Sequence, residues 1–254
     1  MMLTQRLILF TSFLPLALAC TRPDKVEPLQ ALATKAPVIR VDGALMKMMH
    51  QGDLSAKASL RDFAGKKGAY GLGALKDLGG EVLIWDGQVM TSVPDGSGGM
   101  KVEKGAVAEA RSATLLVSTV LERWKEVELT TSIAFKDLDA EIERLARQAG
   151  IDADKPFPFR LEGKMDELQW HVIDGSKIPE GAQGHEAHIA TAVRGDLNGQ
   201  AVQILGFFSK HHHAVFTHHD TNTHAHVLAK EPEVVGHVDF LKVPSGTTLY
   251  LPLQ

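Results

Sequence analysis

The sequence has a single cysteine, Cys20, in 254 residues. One thiol cannot close a disulfide within the chain, so burial and hydrogen bonding must supply its stability. Long apolar runs are equally scarce. The stretch Leu7 to Leu18 is too short to span a bilayer permanently, and no later stretch is apolar enough for a membrane helix. Neither sign of charge dominates, at a formal net charge of -4, and no basic stripe is present; nucleic acid is therefore not an expected partner. A Gly-x-Ser-x-Gly elbow is missing, which argues against the usual nucleophilic hydrolases. The glycines of GAYGLGA lead into turn and strand formers rather than a helix, so they form no phosphate-binding fingerprint.

What is present first marks export. Arg6 precedes the apolar run, and Ala17-Leu18-Ala19 gives a small-residue cleavage pattern directly before Cys20. Residues 1–20 read as a signal peptide, with Cys20 as the lipid-attachment residue of a bacterial lipoprotein. The expected location is the periplasm or outer membrane, with membrane contact only through that anchor. Residues 21–37 are polar with prolines and read as a tether. Residues 38–254 are expected to fold.

Within that region a strand is expected at Val38 to Val41, with helices at Leu45 to His50 and Ser55 to Phe63. Asp86-Gly87 signals a tight hairpin. The runs ATLLVSTVLERW and VELTTSIAF read as strands. Asp137 to Ala149 is the clearest helix, with an apolar stripe of Leu138, Ile142, Leu145 and Ala149. The second half is strand-rich: FPFRLEG, ELQWHVID, HIATAVRG, QAVQILGFF, THAHVLA and GHVDFLKV. The class is α+β, mainly antiparallel or mixed sheet with a few helices.

Ten of the twelve histidines fall between His185 and His237, which directs attention to one region. In THAHVLAKEPEVVGHVDF, His224 and His226 sit two apart on a strand and share a face. A hairpin turning at Glu231-Pro232 puts His237 directly across from His226, about 5 Å away, with His224 on the diagonal. Three neutral nitrogens around one point, with a coordination position left open, suit a catalytic metal ion on a C-terminal hairpin. Pro232 fits poorly at the second corner of a common tight turn, so a bulge or longer loop is expected there. Asp239 shares the face of His237 and is placed to orient an imidazole. The cluster His211 to His213 with His218 and His219 reads as a solvated loop or as a wall of the site. Glu81, at the start of an apolar strand, reads either as an exposed strand-end carboxylate or as a proton carrier.

These motifs, in this order, resemble the alpha-acetolactate decarboxylase family. GAYGLGALKDLGGEVLIWDGQV is similar to that family's glycine-rich block, close to GDFGLGTFxxLDGEMIVLDG. FPFRLEGKMDELQWHVID resembles its mid-chain strand pair, and THAHVL with GHVDF resembles its HLHF and GGHVLD blocks. The resemblance implies two mainly β layers, with the metal near their junction and the chain usually a homodimer. It implies zinc held by His224, His226 and His237, and an active-site glutamate at Glu81. It also implies decarboxylation of 2-acetolactate, or a similar 2-hydroxy-3-oxo acid, to acetoin and carbon dioxide. Where the family has a substrate-binding arginine this chain has His171, with Arg160 eleven residues earlier; these two complete the candidate catalytic set. The family's C-terminal glutamate has no counterpart in TTLYLPLQ. The rival readings are a non-catalytic periplasmic metal-binding or sensing protein and a different β-scaffold metalloenzyme.

Overall fold

The computed structural model describes residues 37–253, apart from 180 and 183. The expected signal peptide, Cys20 and the tether up to residue 36 lie outside the described residues.

Alternating apolar residues build two antiparallel sheets, and chain order divides them cleanly. The first contains β1 (Arg40–Asp42), β2 (Ala58–Ser59), β3 (Ala69–Leu75), β4 (Glu81–Trp85), β5 (Gln88–Pro94), β6 (Met100–Lys104) and β7 (Ser112–Val120). Its order is β1-β7-β3-β4-β5-β6, with β2 also on β7. The second contains β8 (Trp124–Glu128), β9 (Phe157–Lys164), β10 (Glu167–Val172), β11 (Val193–Asp196), β12 (Ala201–Phe208), β13 (Thr223–Lys230), β14 (Glu233–Lys242) and β15 (Thr248–Pro252). Its order is β11-β10-β14-β13-β12-β9-β15-β8. Four short helices accompany them among the described residues: α1 (Leu45–Gln51), α2 (Ala106–Glu109), α3 (Leu138–Gln148) and α4 (His185–Ile189).

Strand parity sets the layers. Tyr70, Leu72, Leu83 and Val117 of the first sheet pack against Leu205, Phe207, Leu228 and Val235 of the second. The other face of the second sheet buries Phe159, Ile204, Val227 and Val238 with Leu138, Ile142 and Leu145 of α3. Each such side chain contributes about 1.5–3 kcal/mol by leaving water. Ser92 reaches across, its hydroxyl donating to the Val235 carbonyl, and Lys104 pairs with Glu233 at 2.5 Å. In the glycine-rich block, a Cβ on Gly73 would meet the Leu115 carbonyl oxygen at 2.0 Å, so only glycine lets β3 lie this close to β7.

The expected α+β class and the two β layers are observed. The Asp86-Gly87 turn closes β4 onto β5, with positive φ at both residues (49° and 80°) as the tight hairpin requires. Three elements differ. Ser55 to Phe63 is not a helix: Ala58 and Ser59 pair with β7 and only Leu60–Phe63 coils, as a 3-10 turn. Sheet pairing there overrides the helical spacing of Leu60 and Phe63. HIATAVRG supplies a strand only at Val193–Asp196, because its start belongs to α4, where the His188 ring Nδ1 meets the Gly184 carbonyl at 2.6 Å. VELTTSIAF is a strand only to Glu128; beyond it, isolated bonds tie Leu129 to Thr247 and Ile133 to Val243.

Candidate metal and proton-transfer site

On β13, Ala225, Val227 and Ala229 face α3, so His224 and His226 face the first sheet. The β13–β14 hairpin pairs Lys230 with Glu233 and His226 with His237, the expected register. No bulge or longer loop forms at Pro232: Lys230 pairs directly with Glu233 across a two-residue turn, whose Glu231–Pro232 peptide is cis. One strand further, His171 on β10 pairs with His237. Beside it the register steps from Gln169↔Phe240 to Trp170↔Val238, passing over Asp239. That bulge re-aims Asp239 toward both rings. Its Oδ1 lies 2.6 Å from His171 Nδ1 and 3.3 Å from His237 Nδ1.

From the opposite layer, β4 turns Glu81 and Leu83 toward these rings, while Val82 and Ile84 face away. Glu81 is 4% exposed, so it is no strand-end surface carboxylate. Its Oε2 lies 3.6 Å from His226 Nε2 and its Oε1 4.0 Å from His171 Nε2; the Ile173 backbone N–H donates to Oε1 at 3.1 Å. A cavity of about 40 Å³ remains between Glu81, His171, His218, His224 and His237. Leu45 and Met48 of α1 roof it, with Leu78, Leu115 and Ile173.

Burial decides the protonation states. It pushes the Glu81 carboxyl up to about 7, against the opposing pull of His237 and the Ile173 N–H. Burial and neighbouring imidazoles push His224 and His226 well below the usual histidine range, which keeps them neutral. Burial alone would raise Asp239, but hydrogen bonding from His171 and His237 wins and holds its carboxyl well below the usual range.

The expected trio is brought together. Its ring centroids are 5.1 Å (His224–His226), 5.1 Å (His224–His237) and 5.6 Å (His226–His237) apart. Three imidazoles on one ion, with metal–nitrogen bonds of about 2.0–2.1 Å, need centroids roughly 5–5.5 Å apart. The buried Nδ1 of His224 and both ring nitrogens of His226 have no hydrogen-bond partner. Buried polar atoms are seldom left so, and a bound cation would satisfy one nitrogen of each ring. Neutral, desolvated, convergent imidazoles are what a divalent ion requires. A second grouping shares His237: the candidate ligand atoms of His171, His237 and Asp239 lie within 4.8 Å of one another. Its Asp239 oxygen is already at hydrogen-bond distance from His171, which fits an orienting carboxylate. Replacing Asp239 with Asn should weaken divalent-metal affinity about 10- to 100-fold, as loss of an orienting carboxylate typically does; competition against a chromogenic chelator measures it.

A sequence profile of the alpha-acetolactate decarboxylase family matches residues 42–251. The chain belongs to that family. Three solved structures share the decarboxylase fold at low identity. Alpha-acetolactate decarboxylase from Bacillus subtilis strain 168 is 14% identical, with TM-score 0.63 over 85% of this chain and 86% of that one. Acetolactate decarboxylase from Bacillus subtilis subspecies spizizenii is also 14% identical, with TM-score 0.67 over 85% and 86%. A Staphylococcus aureus protein of unknown function, similar to alpha-acetolactate decarboxylase, is 15% identical, with TM-score 0.64 over 84% of each chain. No curated sequence relative matches.

Within this family member, Arg160 is not brought to the cluster. It shares the cross-strand row Arg160–Leu205–His226–His237–His171 but stands two strands from His226, roughly 10 Å. Both tyrosines of the chain and two of its three tryptophans surround it. Its guanidinium carbon lies 4.6 Å from the Trp85 ring, 5.1 Å from Trp124, 4.5 Å from Tyr250 and 5.7 Å from Tyr70, and it pairs with Glu162. Substituting Arg160 with Ala should destabilise the fold by about 2 kcal/mol and shift tryptophan emission, because these desolvated contacts are lost. Metal content should not change; chemical denaturation followed by fluorescence reads the stability.

His218 was legible only as one member of a histidine-rich run. In the structure it stands edge-on to His237, with centroids 5.7 Å apart, and forms a wall of the cavity. His211, His213 and His219 of the same loop are exposed. The loop thus combines both expectations, wall and solvated surface. Spacing gives no signal for His218, because the intervening chain does not follow a strand.

Proposed function

We propose that this chain is a zinc-dependent decarboxylase of 2-acetolactate, or a similar 2-hydroxy-3-oxo acid, yielding acetoin and carbon dioxide. The observation that carries this reading is the buried Glu81 carboxyl, presented by one sheet to a converging set of imidazoles on the other. His224, His226 and His237 would hold the metal. When bound, zinc supplies Lewis acidity toward the substrate's hydroxyl and ketone oxygens. Glu81 then has the chemistry to deliver a proton. As the bond to the carboxylate carbon breaks, its electron pair stays on the hydroxyl-bearing carbon, and Glu81 gives that carbon a proton. Burial keeps this carboxyl partly protonated near neutral pH, as a general acid requires. Asp239 fixes the His171 and His237 rings, and His171 faces the substrate carboxylate in place of the family's arginine. Leu45 and Met48 give the cavity an apolar wall. Export and lipid attachment at Cys20 belong to the same proposal, as does pairing into a homodimer.

The test is acetoin formation from racemic 2-acetolactate by the zinc-loaded soluble chain starting at Thr21, with His224→Ala as control. Turnover that vanishes in the control supports the reading. Stoichiometric zinc without turnover would replace it with the rival, a metal-binding or sensing role.

A further inference from the structure

Three of the chain's eight methionines, Met46, Met48 and Met49, stand with His50 in the seven residues of α1. Helical spacing divides them. Met48 turns inward and packs with Leu78, Leu115 and Ile173. Met46, Met49 and His50, at i, i+3 and i+4, share another face. There Met46 is 52% exposed and Met49 half-buried, so neither thioether is committed to the core.

That face meets the histidine-rich loop. The Val215 and Ala214 carbonyls accept the Leu45 and Met46 N–H groups at 2.9 and 2.8 Å, which fixes the helix against the loop. The loop is itself tied at both ends. At its start Lys210 pairs with Glu143 at 3.0 Å and Asp154 at 2.8 Å; at its end the Asn222 N–H donates to Asp139 at 2.7 Å. Between helix and loop lies a cavity of about 60 Å³, with Met46, Met49 and His50 on one side and Thr217, His218 and His219 on the other. Thr217 is fully buried, and its hydroxyl oxygen has no hydrogen-bond partner. A buried hydroxyl in that state marks a cavity that takes a polar or charged occupant. The donors in the lining choose the ion. Among the described residues they are thioethers and imidazoles, with no carboxylate and no thiolate. Soft, polarisable thioether sulfur selects Cu(I), which imidazole also suits, whereas hard cations need the carboxylates that this lining lacks.

We propose that Met46, Met49 and His50 of α1, with His219 of the loop, form a Cu(I) site separate from the trio of His224, His226 and His237. It uses none of the proposed zinc ligands and stands whether or not the chain is a decarboxylase. His218 lines both cavities, so the two sites are neighbours with different donors.

The experiment is competition for Cu(I), kept reduced by ascorbate under argon, between bicinchoninate and the zinc-saturated chain starting at Thr21. One Cu(I) per chain is expected. The double variant Met46→Leu/Met49→Leu conserves volume and helix propensity. It should weaken Cu(I) binding by at least about ten-fold, because thioether is the donor that selects this ion, while zinc content stays at the wild-type value. X-ray absorption at the copper edge gives an independent reading on the unsubstituted chain. The chain from Thr21 has no cysteine, so sulfur next to copper must be methionine. Sulfur neighbours that disappear in the single variant Met46→Leu, whose side chain is exposed, support the site even if the double variant fails to fold. Copper with nitrogen neighbours alone, Cu(I) affinity unchanged in the double variant, or no Cu(I) retained against bicinchoninate overturns it.

Discussion

Glu81→Gln should lower turnover of 2-acetolactate by about 10²- to 10⁴-fold, the usual contribution of a positioned proton donor. Glutamine keeps the shape and can still accept from the Ile173 N–H, so the β4 backbone and the cavity should persist. What it cannot do is release a proton to carbon. Zinc content should stay at the wild-type value, because Glu81 lies beside the imidazoles rather than among the proposed ligands. The loss should fall on kcat more than on KM. Undiminished kcat with normal zinc would remove Glu81 from the mechanism.

Chelation should lower the melting temperature by roughly 10 °C. A ligand present at a thousand times its dissociation constant stabilises the native state by about 4 kcal/mol, and for a chain of this size each kcal/mol is worth roughly 2–4 °C. The metal-free state leaves buried imidazole nitrogens unpaired, a cost that a bound ion would reduce by taking one nitrogen of each ring. In His226→Ala, whose ring is fully buried, added zinc should no longer raise the melting temperature. Scanning calorimetry with and without chelator measures both. His171→Ala decides between the two overlapping ligand groups. If zinc still raises its melting temperature, the trio of His224, His226 and His237 holds the ion; if not, His171 is itself a ligand.

Much of the centre was legible before the fold. His224 and His226 share a face because strand side chains alternate, and His226 opposes His237 because a hairpin with a two-residue turn admits one register. Those relations are local, and local geometry is written in spacing. The α+β class followed from the same periodicity. The glycine-rich block carried Glu81 only through its likeness to a family; by itself an acidic residue at a strand start says nothing about burial. Asp239 was half legible: its parity with His237 was visible, but the bulge that brings it to His171 depends on pairing with β10.

The sequence by itself determined the strand pattern, the facing pair of histidines and the lack of any disulfide. The tertiary structure alone decided what stands opposite them. Glu81 and His226 are 145 positions apart and meet because one sheet packs on the other, so their 3.6 Å contact is set by layer packing, which no short-range spacing encodes. The same packing buries Glu81 and raises its carboxyl pKa, and leaves Arg160 among aromatic rings two strands away. It also sets His218 against His237, since the loop's path is fixed by its ties to distant segments. Desolvation and long-range contact, the two quantities that set reactivity here, exist only once the layers have closed.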